Sequence, residues 1–338
     1  MRPNSSVIER LNETSNRTAF VSVVMPLYNE EKYIERCILS LVNQTYPVEK
    51  MEWLLVDGGS TDKTVDIIKK YQDKYPIKLL KNEKKLVTYA LNIGVEKSSG
   101  DYIIRLDAHA EYPTDYIEKC IYYLETTDAD NVGGIVETKG EGYVGQINAQ
   151  ILSSKFGVGD SGFRTNAQSG YVDTVPFGAF RKEIFDKIGL FNPELPRSED
   201  NDFNSRIRAS GGKVFLANDI VSTYYCRDTI FGLLSQSIKN GNALFLTLKK
   251  NPKAMSIRHY IPFLFFLSLI VMPILSLFSK MFMILFMVEL FLYLALDLYF
   301  CLFDKKVKFA PLKFILYPMF HCTYGLGSFL GLLGIKLY

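Results

Sequence analysis

Residues 53–68 read WLLVDGGSTDKTVDII, and residues 100–118 read GDYIIRLDAHAEYPTDYIE. Each places a short apolar run directly before an aspartate, Asp57 in the first and Asp107 in the second. Runs of this length, bounded by Gly and Asp, predict strands covered on both faces. Outward from them the pattern repeats. Phe20–Pro26 (FVSVVMP) predicts an earlier strand, and Ile77–Leu80 another between the two quoted stretches. Helical spacing fills the gaps. Glu30–Asn43 sets Ile34, Cys37, Ile38 and Leu41 on one face, and Leu86–Glu96 predicts a third helix. The second helix, which Ser60 or Thr61 is suited to cap, turns Val65, Ile68 and Tyr71 inward. Strand and helix alternating at these lengths predict an α/β fold. Sheets of this kind bind ligands at the carboxyl ends of their strands. The sequence gathers Tyr28-Asn29-Glu30, Asp57, and Asp107 with His109 at those ends.

The chain has 338 residues, 48% hydrophobic and 22% charged, values of a folded protein and not of a disordered or collagenous one. Its polarity is unevenly spread. From Ser256 to Tyr338 there are seven Lys/Arg and three acids, so nearly all the charge lies earlier, where it almost cancels. A net charge of +3 with no concentrated basic patch argues against a nucleic-acid partner. The five cysteines, Cys37, Cys120, Cys226, Cys301 and Cys322, form no CxxC pair, which points to neither a zinc site nor a disulfide framework and fits a reduced compartment. Residues 1–19 are polar and contain no apolar core of the kind a secretory signal needs. The Asn-x-Ser/Thr triplets at Asn4 and Asn12 carry no weight in a cytosolic setting.

Past Asp130 the pattern loosens. Val132–Val136 predicts a strand, and 155–170 (KFGVGDSGFRTNAQSG), dense in Gly and Ser, predicts a mobile loop. Glu199–Ala209 predicts a short helix stopped by Gly211-Gly212, and Lys213–Ala217 a late strand. Three apolar stretches follow, at 260–278, 281–303 and 312–333, each near the roughly 20 residues that cross a bilayer. Lys249, Lys250, Lys253 and Arg258 precede the first, and Lys305, Lys306 and Lys308 lie between the second and third. By the positive-inside rule this places the large domain on the cytosolic side of the membrane. The expected division is a polar tail at 1–19, a large soluble domain at 20–255 and a transmembrane region of three spans at 256–338. Glu289 and Asp297 fall inside the second span. Asp297 is near enough to the interface for plain solvation, which leaves Glu289 as the more interesting intramembrane acid.

No GxGxxG and no GxxxxGK[ST] occurs, so neither a dinucleotide cradle nor a Walker phosphate loop is supported. What the strand ends offer are carboxylates and a histidine. A nucleotide diphosphate held by carboxylates needs a divalent cation between them. Asp107 and His109, two apart on an extended segment, share a face and can both be ligands.

These stretches, together with VSVVMPLYNEEKYIERCILSLVNQTYP at 21–47, FGAFRKEIFDKIGLFNPEL at 177–195 and SEDNDFNSRIRASGGKV at 198–214, resemble the family 2 glycosyltransferases of the GT-A fold. Within that family the LDAHA segment, the FGVGDSGFR stretch and the late apolar spans look most like the succinoglycan-type membrane enzymes of exopolysaccharide and capsule synthesis. The resemblance implies a mixed, Rossmann-like sheet. It implies that Pro26, Tyr28 and Glu30 form the first nucleotide-contacting turn, that Asp57 holds the base or ribose of a UDP-sugar, and that Asp107 and His109 stand for the family's DxD metal motif. His109 replaces the last acid of that motif, which favours Mn²⁺ over Mg²⁺, a cation that prefers oxygen. Asp200 matches the general base, and one displacement then inverts the anomeric centre. Asp202 is read instead as an acid favoured at a helix N-terminus.

The implied reaction moves a hexose from a nucleotide-diphospho-sugar to a polyprenyl-diphosphate-linked saccharide at the cytoplasmic membrane. Membrane lipid and other polysaccharide-assembly enzymes are the expected further partners. Three other activities remain open at this level. A processive synthase is disfavoured by only three spans and by Gln236-x-x-Lys239-x-Gly241, which departs from QxxRW. A polyprenyl-phosphate sugar transferase would need no base, which Asp200 argues against. A silent nucleotide-sugar-binding membrane scaffold is argued against by the retained acids.

Overall fold

The computed structural model describes residues 19–303 and 307–337. Residues 1–18 of the polar tail, with Asn4 and Asn12, and Asp304, Lys305 and Lys306 of the basic inter-span loop, lie outside the described residues. By proximity the chain divides into two compact units: one runs to Glu137 and resumes at Asn166–Tyr224, and the other comprises Thr138–Thr165 and Tyr225–Tyr338.

In the first unit the predicted alternation is present. Strands β1 (Val21–Leu27), β2 (Met51–Asp57), β3 (Ile77–Lys81) and β4 (Tyr102–Arg105) alternate with helices α1 (Ile34–Val42), α2 (Thr64–Gln72) and α3 (Val87–Lys97). The first four strands pair in parallel, in the order β3-β2-β1-β4. The central strands β1, β2 and β4 are buried almost throughout, whereas β3 at the sheet's edge buries only Ile77 fully. Trp53 is fully buried in β2 and stacks on Tyr75 at 5.7 Å, a core role. Pro26 lies within a central strand, opposite Val56 of β2. Pairing of β1 with β4 ends at Val24↔Arg105, just before Pro26, which has no N–H to carry that ladder on.

Beyond β4 the sheet turns antiparallel. Strands β5 (Ala110–Glu111), β6 (Asn131–Lys139), β7 (Gly170–Tyr171), β8 (Ala179–Arg181) and β9 (Val214–Tyr225) complete nine strands among the described residues. The late strand expected to stop at Ala217 runs twelve residues instead. Asn218, Asp219 and Ser222 break its apolar pattern but keep the alternation of a strand. Helices α4 (Tyr116–Thr126) and α5 (Gly142–Ser153) flank β6 in the chain.

The stretch 155–170 is a correction. In place of a loop it forms two short helices, α6 (Lys155–Val158) and α7 (Gly162–Thr165). The Ser154 hydroxyl caps α6 by accepting from the N–H groups of Phe156 and Gly157, so serine density that reads as loop here starts a helix. Phe156 then packs among Tyr293, Phe300, Tyr317 and His321, with ring centroids 5.0–5.4 Å away.

Helices α8 (Glu183–Ile188) and α9 (Glu199–Ala209) belong to the first unit; α10 (Ile230–Lys250), α11 (Ile261–Ser276), α12 (Lys280–Phe303) and α13 (Ala310–Leu332) belong to the second. Two segments, Ile257–Ser276 and Lys280–Phe303, are long and apolar enough to cross a membrane. The third expected span, α13, is 23 residues long but carries buried Lys313 and His321 together with Gly325, Gly327 and Gly331. These glycines bring backbones together. A Cβ at Gly327 would stand 2.0 Å from the Ile238 carbonyl oxygen of α10, and one at Gly241 of α10 would stand 2.0 Å from that of Tyr324. His321 is a satisfied packing residue, with Nδ1 2.8 Å from the Tyr293 hydroxyl and Nε2 2.9 Å from the Phe156 carbonyl.

The two acids of α12 exchange places relative to expectation. Asp297 is fully buried, beside Cys301 and facing Lys313 of α13. Glu289 accepts a 2.5 Å hydrogen bond from Ser268 of α11, a plain helix-to-helix contact.

Candidate active site

Three strand ends converge on the site. From β1 the chain turns through Tyr28, half exposed, and Asn29, whose φ of 54° is the left-handed conformation asparagine tolerates. The turn after β2 runs Gly58-Gly59-Ser60, and Gly59 needs its φ of 83°. The two turns are stitched together. Asn29 N–H donates to Ser60 Oγ at 2.9 Å, Thr61 N–H donates to Asn29 Oδ1 at 2.8 Å, and Glu30 N–H donates to Thr64 Oγ1 at 2.7 Å. Ser60 therefore does not cap α2 as expected. It donates to Asp57 Oδ1 at 2.6 Å, and Asp62 takes over at the helix start by accepting from Thr64 N–H. The Asp57 carboxylate also accepts from the amides of Gly59 and Ser60, which fixes it at the base of the turn.

At the end of β4 the Asp107 backbone is gripped by Tyr112. The Tyr112 hydroxyl accepts from Asp107 N–H at 2.8 Å and donates to its carbonyl oxygen at 3.2 Å. Burial first, then the nearby Cys37 and Asp107, pushes this phenol well above its ordinary range, so it stays a donor. Asp107 Oδ1 lies 3.0 Å from Arg105 Nη2. His109 Nδ1 lies 3.2 Å from Glu30 Oε1, and its ring packs edge-on to Tyr224 at 5.3 Å.

Asp200 opens α9 on the other side of Arg105. The helix is held from below by an aromatic nest of Phe180, Phe185, Phe191 and Phe203, the last two stacked at 4.4 Å. Asp202 lies in the first turn of α9, as expected of an acid at a helix N-terminus. It is buried and pairs with Arg206 at 3.0 Å, whose guanidinium also donates to the carbonyls of Ile188 and Leu190. Asp200 Oδ2 lies 3.0 Å from Arg105 Nη1. Burial, together with the adjacent Glu199 and Asp107, pushes Asp200 up to about 7 against the opposing pull of Arg105. A carboxylate so placed accepts a proton near neutral pH.

Arg105 and Tyr112 are the residues that sequence reasoning passed over. The available signal was an arginine inside an otherwise apolar strand, YIIRLD. Among the described residues no three His, Cys, Asp or Glu side chains converge as a ready metal cage. Asp107 and His109 offer one oxygen and one imidazole, with side chains 19% and 29% exposed. That pair fits a cation which takes its remaining ligands from a diphosphate and water.

The model of the family "Glycosyl transferase family 2" matches residues 22–189. A Methanococcus voltae protein, dolichyl N-acetyl-alpha-D-glucosaminyl phosphate 3-beta-D-2,3-diacetamido-2,3-dideoxy-beta-D-glucuronosyltransferase, is 32% identical over 93% of this chain and 97% of its own. The succinoglycan biosynthesis protein ExoA of Rhizobium meliloti (strain 1021) is 28% identical over 71% and 73% of the two chains. The mannosyltransferase PcManGT from Pyrobaculum calidifontis, solved with GDP-Man and Mn²⁺, shares the fold with a TM-score of 0.62 at 16% identity, over 98% of this chain and 94% of that one. With the mixed sheet, the acids at its strand ends and these relatives in agreement, the chain belongs to the family 2 glycosyltransferases and is a glycosyltransferase of GT-A-type fold.

Proposed function

We propose that this enzyme transfers a hexose, with inversion, from a nucleotide-diphospho-sugar of the UDP type to a polyprenyl-diphosphate-linked saccharide, in exopolysaccharide or capsule synthesis at the cytosolic face of a membrane. The observation that carries this reading is the placement of Asp200, a base near neutrality, one guanidinium away from the donor-side acid Asp107. The M. voltae relative, named for action on a dolichyl-linked sugar phosphate, supports a lipid-linked acceptor. The apolar helices 257–276 and 280–303 support a membrane setting. In this reading 20–255 is the catalytic domain and 256–338 the anchor, with α13 as its third span.

In the mechanism, the turn with Pro26, Tyr28 and Glu30 contacts the nucleotide, and Asp57, fixed by its own turn, meets the base or ribose. Asp107 and His109 would hold the divalent cation, Mn²⁺ or Mg²⁺, with Glu30 orienting the imidazole. A cation bound there neutralises the departing diphosphate. Asp200 accepts the proton of the acceptor hydroxyl as its oxygen attacks the anomeric carbon opposite the leaving group. The C–O bond to the diphosphate breaks as the new glycosidic bond forms, so an α-linked donor gives a β-linkage.

The test is transfer from a panel of radiolabelled UDP-sugars into membranes holding the full chain, with Mn²⁺, Mg²⁺ or EDTA. Label in the organic-extractable lipid, lost with EDTA and in Asp200→Asn, is the expected result. Label in high-molecular-weight polymer would instead establish a processive synthase.

A further inference from the structure

We propose that Arg105 is the positioning residue of the transfer reaction, holding the base Asp200 and the donor-side acid Asp107 on one guanidinium so that the two halves of the site keep a fixed relation. The proposal rests on the assignment of Asp200 as base.

The geometry is asymmetric in a telling way. Arg105 is buried, with a side chain 7% exposed, and three carboxylates share its two terminal nitrogens. Nη1 meets Asp200 Oδ2 at 3.0 Å, while Nη2 meets both Asp107 Oδ1 at 3.0 Å and Glu199 Oε1 at 3.2 Å. Its Nε has no partner. Here every ionic contact is made by the tip, between the end of a donor-side strand and the first turn of the base helix.

The surroundings prevent Arg105 from drifting toward either side. Its backbone N–H donates to the Gly178 carbonyl at 2.9 Å, and its guanidinium carbon lies 5.9 Å from the centre of the Phe177 ring. Phe177 and Ser198 both adopt left-handed backbone conformations, at φ 49° and 64°. Ser198 immediately precedes the two acids that Arg105 grips. Such conformations in residues other than glycine persist only where the surroundings over-determine them. Glu199 and Asp200, pulled onto one guanidinium, supply that constraint at the start of the helix. The buried chain Asn131–Asn204–Thr174, with links of 2.5 and 2.8 Å, fixes the next turn.

The test uses the full-length chain, as Arg105→Lys and Arg105→Ala, with two readouts: binding of the nucleotide-sugar and the rate of sugar transfer. Lysine keeps a charge for folding but has no fork, so it reaches one acid and not three. Arg105→Lys is expected to bind nucleotide-sugar within about threefold of wild type while kcat falls roughly 10–100-fold, the scale of a small misplacement of reacting groups. Arg105→Ala is expected to lose more, and to recover at least about tenfold with added guanidinium at non-denaturing concentration, a rescue that Asp200→Asn does not show. An Arg105→Lys enzyme with kcat within twofold of wild type overturns the proposal. So does a parallel loss of binding and transfer in both variants without guanidinium rescue, the signature of a merely structural role. If Asp200→Asn transfers as well as wild type, the base assignment falls first and this proposal falls with it.

Discussion

Asp200 has its proton affinity pushed up toward neutrality, by burial first and then by two neighbouring carboxylates, while one guanidinium restrains it. The sign of the pH dependence follows. Below about 7 the carboxyl takes up a proton and cannot act as base, so kcat/KM should fall about tenfold per pH unit on the acid side and level off above. Asp200→Asn should lower transfer by roughly 10²- to 10⁴-fold with little change in nucleotide binding, measured as initial rates beside equilibrium titrations. At His109 the test is the metal. His109→Asp supplies a second oxygen and should raise Mg²⁺-supported transfer relative to Mn²⁺-supported transfer; an unchanged ratio removes His109 from the cation's surroundings. Asp57, Asp107 and Asp200 were legible as residues because each stands beside a structural signal, a strand end or a helix start. Arg105 was not. Its partners Glu199 and Asp200 lie over ninety positions away, and a single charge in an apolar strand has no local meaning until the chain closes on it.

Among the elements, the central parallel strands were legible because burial on both faces forces a continuous apolar run. The long β9 was read short because it interleaves polar residues. Helices α6 and α7 were hidden by glycine and serine, residues that break most helices and here start or flank two short ones. The strands are also joined by a polar contact that periodicity does not show. Buried Glu52 of β2 accepts from Ser22 of β1, from Ser99 and from Lys78 of β3, at 2.6–2.7 Å. Although burial opposes ionisation, these bonds hold its carboxyl down at about 2. The depressed value means that the stability Glu52 supplies is complete above its ordinary value of 4.5 and is lost as pH falls from there toward about 2. Glu52→Gln should cost about 1–3 kcal/mol at neutral pH, read by denaturant unfolding, and the cost should vanish near pH 2. In the second unit, Gly327→Ala forces a methyl group onto a carbonyl of α10 and should lower the melting temperature of the detergent-solubilised chain, at a cost of about 1–3 kcal/mol.

For the molecule as a whole, the two outward-facing apolar helices make a direct prediction. Ile284, Met287, Phe291 and Leu298 of α12 are all about half exposed or more, a surface suited to lipid and unsuited to water. The chain should stay with the membrane fraction through alkaline carbonate washing and leave it only with detergent; release by carbonate would make the association peripheral. At the donor end the stitched turns have a further, kinetic consequence. The backbone amides of Asn29, Glu30, Glu31, Gly59, Ser60, Thr61, Lys63 and Thr64 all donate to side-chain oxygens within the two turns. Surface loops ordinarily trade their amide protons with solvent quickly, but these have partners before any nucleotide arrives. Deuterium uptake across 29–31 and 59–64 should therefore be slow in the free enzyme and change little on nucleotide addition, marking a pocket that is assembled in advance and receives its ligand without folding around it.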